Sequence, residues 1–106
     1  LRGTGIGTGQ ASGRVRILHG PDPQALHEGE VLVVRFADPG WTPLFPRACA
    51  LVMEVGGVMC HAAVVARELG IPAVFGVRDA TGLLEDGARV TVDGVAGTVT
   101  PDLTRG

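Results

Sequence analysis

Two adjacent glycines, Gly56 and Gly57, precede a histidine, His61, which opens a run of small and aliphatic residues from Ala62 to Leu69 that closes at Gly70. This spacing predicts a turn that delivers His61 to the first turn of a helix. The free N–H groups of a helix start, and the positive end of its dipole, attract a phosphate-like anion without any lysine. Imidazole suits phosphoryl chemistry there. With an unperturbed pKa of about 6.5 it offers a neutral ring nitrogen at pH 7, whereas a serine would need a dedicated base. The chain contains no lysine, and its nine basic residues are all arginines. A Walker-type phosphate loop, which needs a lysine beside its glycines, therefore cannot be built, and any phosphate chemistry must centre on His61.

Four neighbours are candidates for positioning the phosphate. Gly56 and Gly57 let backbone approach a bulky group closely, and the same two residues also suit a tight strand-to-helix turn. Ala62, with Ala63, keeps the rim low or packs the helix closely. Cys60 is read as a small, weak hydrogen-bond donor beside the phosphate, although a thiol at a helix start could also be a nucleophile. No metal site is expected. His19 and His27 lie beside proline-rich sequence, and with Cys49 or Cys60 they form none of the spacings that hold zinc.

The surrounding elements follow from periodicity. Gly13–Leu18 alternates and predicts a strand with Val15 and Ile17 inward, ended by Pro21 and Pro23. Glu30–Phe36 and Cys49–Val55 are continuous apolar runs of strand length, as expected for strands covered on both faces. Between them, Trp41–Ala48 predicts a short helical turn limited by two prolines. The helix His61–Leu69 should pack through Ala62, Val65, Ala66 and Leu69, with His61 toward its edge. Gly70 and Pro72 stop it. Ala73–Phe75 predicts a short strand, Asp79–Leu84 a turn of helix, and Arg89–Val92 with Gly97–Thr100 a hairpin. Strands alternating with short crossovers give an α/β domain. The glycine-rich opening, Gly3–Gly13, is expected to be loop. It is not a nucleotide fingerprint, because the third glycine position is Gln10 and no strand precedes it.

Composition narrows the function. One domain spanning residues 1–106 is expected, large enough for one core but not for a nucleotide-binding domain as well. Beginning at Leu1 rather than Met, it reads as a fragment of a larger protein. A net charge of −2 with interspersed signs, and only four aromatic residues, argue against nucleic acid as a partner. No apolar run approaches the roughly 20 residues of a membrane helix. The sequence shows no secretory signal, so Cys49 and Cys60 are expected to be free thiols in a cytoplasmic protein.

The run from Gly56 to Gly76, with Asp38-Pro39-Gly40-Trp41-Thr42-Pro43-Leu44-Phe45 upstream and Asp93-Gly94 to Val99 downstream, closely resembles a known family. It is the swivelling, mobile phosphohistidine domain of the phosphoenolpyruvate-utilising enzymes: phosphoenolpyruvate synthase, pyruvate phosphate dikinase and rifampicin phosphotransferase. The resemblance implies a three-layer β/β/α fold in which His61 is the catalytic residue of an ATP-dependent phosphotransferase of dikinase type. It further implies that His61 is transiently phosphorylated from ATP at a separate nucleotide-binding domain. The phosphoryl group then passes to an acceptor held by another domain, with pyruvate the leading acceptor. ATP and Mg²⁺ are expected in those partner domains, with no cofactor bound by this one and no turnover by it alone. Cys60 matches the synthases, whereas Val58-Met59 and the Trp41 segment look more like rifampicin phosphotransferase. An antibiotic acceptor, or a non-catalytic docking module of the same fold, are the alternatives.

Overall fold

The computed structural model describes residues 1–7, 9–20, 22, 24–36, 39–55 and 61–101. The predicted strand end at Pro21 and Pro23 lies outside them. The chain runs β1 (Thr4–Ile6), β2 (Gln10–Ile17), β3 (Glu30–Val34), a 3₁₀ helix (Pro39–Arg47), β4 (Ala48–Met53), α1 (His61–Leu69), β5 (Ala73–Phe75), α2 (Ala80–Leu83), β6 (Arg89–Asp93) and β7 (Thr98–Pro101). The strands form one sheet in the order β1-β5-β4-β3-β2-β6-β7. Strands β2 to β5 run parallel, β1 is antiparallel to β5, and β6 is antiparallel to both β2 and β7.

Strand β2 makes the three layers. Its first half, Gln10–Arg14, pairs with β6, and its second half, Val15–Ile17, pairs with β3, so the sheet folds over on itself. One core lies inside that fold, where Val15, Val31, Val33, Ala50, Val52 and Val74 meet Val90, Val92 and Val99. The other lies between the parallel strands and the helices, where Leu32, Val34, Leu51, Met53 and Phe75 meet Trp41, Leu44, Phe45 and the alanines of α1. Every residue of β3 is buried, as its unbroken apolar run predicts for a strand covered on both faces. The expected α/β class and the β/β/α layering are both present.

The glycine-rich opening departs from expectation. Gly3–Gly13 was expected as loop from its composition; instead Thr4–Ile6 pairs with β5, and β2 already begins at Gln10. The entropy cost of ordering glycine is offset because these glycines permit backbone contacts that no side chain could. A methyl group on Gly5 would meet the carbonyl carbon of Gly94 and the nitrogen of Gly97, both at 2.9 Å. Through this crossing β1 lies against the β6–β7 turn, and a bridge between Arg2 and Thr98 brings the two ends of the sheet together. The Leu1 amino group also donates to the Val99 carbonyl at 2.9 Å. The result is nearly a closed barrel, leaving little unpaired edge.

One buried charge fastens the bottom of β3. Glu30, 8% exposed, accepts from the Arg16 guanidinium at 3.1 and 3.3 Å and from the His27 N–H at 2.7 Å. Arg16 also pairs with Asp86 at 3.1 Å. Burial pushes the Glu30 carboxyl up, but the hydrogen bonds from Arg16 and the His27 N–H outweigh it, and the net displacement is downward. The same contact raises Arg16.

Two outcomes are expected. Gly5→Ala should cost about 2 kcal/mol or more by urea denaturation, because backbone must move to admit the methyl. Gly9→Ala, where nothing lies within 4 Å, should be near neutral. For Glu30 the folded-state pKa lies below the unfolded value, so its carboxylate stabilises the fold above about pH 4.3 and loses that effect as pH falls through the folded value. Glu30→Gln should therefore cost about 1–3 kcal/mol at pH 7, and the gap between the variant and the parent should narrow near pH 3.

Candidate phosphohistidine site

His61 is the first residue of α1, and its side chain is exposed. Directly behind it, Ala62, Ala63 and Ala66 are at most 1% exposed. At 100° per residue, the centre of that buried face lies roughly 150° around the helix from His61. This corrects the predicted face: Val65 is only partly buried and Leu69 is 41% exposed, while Ala63 faces the core. Alanine allows the closest approach of helix backbone to sheet. The helix is thus rolled toward Ala63, and His61 moves from the edge to the outer side.

The helix ends where glycine is required. Gly70 has φ 74°, its N–H donates to Arg67, and the Ile71 N–H reaches back to Ala66 at 3.1 Å. This left-handed cap satisfies carbonyls of the last turn and redirects the chain into β5.

The 3₁₀ helix provides the partner for His61. Trp41, Leu44 and Phe45 are buried and pin it against α1, leaving Thr42 facing the site. The Thr42 hydroxyl lies 3.0 Å from Nε2 of His61. A hydroxyl donating to Nε2 selects the ring form with its proton on Nδ1 and its lone pair on Nε2; the reverse bond selects the opposite form. Sequence reading placed Thr42 in the resembling segment but gave it no role. It is the one hydroxyl residue of the 3₁₀ helix, and helical spacing cannot reveal that it reaches a residue nineteen positions away.

Strand direction places these residues together. Both α1 and the 3₁₀ helix begin beyond the carboxyl ends of parallel strands, β4 and β3, which is where α/β sheets present their reactive groups. Of the predicted positioning residues, Gly56, Gly57 and Cys60 lie outside the described residues. The side chain of Ala62 lies in the core, so what it presents at the site is backbone. Cys49 is half-buried, and burial pushes its thiol up. Trp41 is a core residue.

Residues 26–97 match the family described as the PEP-utilising enzyme, mobile domain. The chain belongs to this family. It is 48% identical over 95 residues to a rifampicin phosphotransferase of Bacillus cereus, covering 90% of this chain and 11% of that protein. Over 101 residues it is 48% identical to a phosphoenolpyruvate synthase of Aeropyrum pernix, covering 93% of this chain and 12% of that one. A solution structure of an Enzyme I protein superposes with a TM-score of 0.68 at 31% identity, covering 79% of this chain and 35% of that one. The mobile domain is therefore a small part of its much longer relatives. Among the described residues, no helix is long and apolar enough to cross a membrane.

Replacing Thr42 by Val removes the hydroxyl while keeping the shape. Imidazole ¹⁵N shifts of His61 should then move toward a mixture of the two neutral ring forms, with the fold retained and stability lowered by no more than about 1 kcal/mol. Unchanged ring shifts would show that Thr42 does not set the tautomer.

Proposed function

We propose that His61 is a phosphoryl carrier, loaded from ATP with Mg²⁺ at a nucleotide-binding domain and unloaded onto an acceptor bound elsewhere. The observation that carries this reading is an exposed imidazole on the first turn of α1, with Nε2 hydrogen-bonded to Thr42, inside the stretch that matches the mobile-domain family. With Thr42 as donor, the Nε2 lone pair is available once the hydroxyl turns away. It forms the N–P bond as the P–O bond to the leaving phosphate breaks, and the electron pair departs with that oxygen. In the second step an acceptor oxygen forms the new O–P bond, the N–P electron pair returns to the ring, and the acceptor's proton, from its hydroxyl or from the methyl group of pyruvate as it enolises, passes to a base of the acceptor domain. The N–H groups heading α1 receive the phosphoryl oxygens, and Gly56, Gly57, Cys60 and the Ala62 backbone shape the approach.

Phosphoryl transfer depends chiefly on positioning and charge stabilisation, so a domain offering one nucleophile suffices when partner domains bring the metal and the cationic groups. Pyruvate, giving phosphoenolpyruvate in a dikinase-type reaction, is the leading acceptor and fits the synthase relative. Rifampicin or another hydroxyl compound is the second reading, favoured by an equal 48% identity to the rifampicin phosphotransferase. A cytoplasmic setting goes with ATP as the source.

The decisive experiment supplies ATP, Mg²⁺ and the nucleotide-binding domain, then locates the adduct by mass spectrometry at neutral pH. An acid-labile phosphoryl group on His61, abolished by His61→Ala, is expected. No adduct with an active partner would leave only a docking module of the same fold. Adding pyruvate or rifampicin to the loaded protein separates the two acceptors.

A further inference from the structure

Two residues before the paired glycines, a carboxylate ties the chain to the far side of the sheet. Glu54 follows β4 and is half-buried. Its Oε2 accepts from the Thr81 hydroxyl and also from the Thr81 N–H, the latter at 2.7 Å. Those bonds, aided by the fields of Arg35 and His19, hold its carboxyl below the usual range. Thr81 is a firm anchor. It lies in the first turn of α2, and the adjoining Ala80 and Leu84 are buried in the core on the opposite side of the sheet from α1.

Helix α2 in turn needs Glu54. The N–H groups of a first helical turn have no partner inside the helix. Asp79, the residue before α2, does not cap them with its side chain, and it sits in the left-handed region at φ 58°, the only described residue other than glycine there. Glu54 supplies the missing acceptor from the end of another strand. A non-glycine residue in that conformation persists only where its surroundings over-determine it. The two bonds to Thr81, with the Val77 N–H donating to the Met53 carbonyl at 3.1 Å, hold the segment from β5 to α2 against the end of β4.

From Val55 the chain must reach His61 through Gly56 and Gly57. Glycine has more backbone freedom to lose than any other residue, so such a stretch holds one shape only if both of its ends are held. At the far end Ala62, Ala63 and Ala66 pack α1 onto the sheet. At the near end the Glu54 N–H donates to the Val34 carbonyl at 3.1 Å and the Val55 N–H to the Arg35 carbonyl at 2.8 Å, which extends the pairing with β3. Those two bonds lie along the sheet; the Glu54 side chain adds a tie across it. We infer that Glu54 is a positioning residue for phosphoryl transfer at His61: bound to Thr81, it fixes the near end of the connection that leads into the N–H groups heading α1. The inference rests on the carrier reading above. Donors aimed at developing charge act only when their backbone is held in place beforehand, and Glu54 does this without touching the imidazole or the phosphate.

The test uses Glu54→Ala, Thr81→Val and their combination in the full polypeptide as the cell makes it. Thr81→Ser, which keeps both bonds, and Glu30→Gln, which loosens the other end of the strands, are the controls. Loading of His61 from ATP with Mg²⁺ is followed over a range of ATP concentrations, well below each variant's unfolding temperature. Because ATP binds in another domain, Glu54→Ala should lower the maximal rate about tenfold while the half-saturating ATP stays within about twofold of the parent. Thr81→Val should slow loading less, the combination should be no slower than Glu54→Ala alone, and Thr81→Ser should load at the parent rate. Amide exchange at Val65, whose N–H returns to the His61 carbonyl in a regular helix, should quicken about tenfold in Glu54→Ala and stay at the parent rate in Glu30→Gln. A parent-like maximal rate or parent-like Val65 exchange in Glu54→Ala overturns the inference. So does an equal slowing in Glu30→Gln, which would trace the loss to stability alone. If the parent itself takes no phosphate on His61, the carrier reading fails and this inference falls with it; a parent that loads beside a Glu54→Ala variant that loads as fast removes the inference alone.

Discussion

The close packing of three alanines against a parallel sheet decides how this molecule presents its chemistry. Ala62, Ala63 and Ala66 bring α1 down onto the core, and because a helix advances by a fixed angle per residue, that choice turns His61 outward. A larger residue at Ala63 would lift the helix and roll the histidine toward its edge. The imidazole is thus turned outward by alanines that pack on the other side of the helix. Its side-chain hydrogen bond with Thr42 ties it to the 3₁₀ helix packed into the same core by Trp41, Leu44 and Phe45. One apolar cluster holds both partners of that bond.

The rest of the fold makes that cluster rigid. Strands β3 and β4 are buried on both faces, so the helices on one side and the folded-over β6–β7 hairpin on the other share the same floor. Glu30 joins β2, β3 and the loop before β3 through three charge-assisted hydrogen bonds, two of them from the Arg16 guanidinium. Its partial burial makes these bonds stronger than a surface pair and makes their loss costlier. At the opposite end of β4, Glu54 does a comparable job by anchoring α2 through Thr81. The strands are therefore tied at both ends, and the strand-end edge presents His61 from a stiff base.

A carrier must be accessible to two partners and must not hold either substrate itself. The edge that bears His61 exposes its imidazole, and under the proposed carrier role the cations that phosphoryl transfer needs would come from other domains. The small share of its relatives' length that this domain occupies agrees with such a division of labour.

Much of this was legible in the sequence. Unbroken apolar runs gave β3 and β4, and the three-and-four spacing between a histidine and Gly70 gave the limits of α1, because burial and helical period are written in consecutive residues. Family membership was legible as well, since about twenty residues around His61 carry it. Three features came only from the tertiary structure. Strand β1 looked like loop because glycine is a poor strand former in isolation; the crossing of β1 over the β6–β7 turn, between residues about ninety positions apart, is what makes glycine necessary there. The roll of α1 depended on which alanine face the sheet could approach most closely. Thr42 acquired a role only when two segments joined by no local pattern were brought within 3.0 Å. In each case the deciding contact is long in sequence and short in space, and local periodicity carries no information about it.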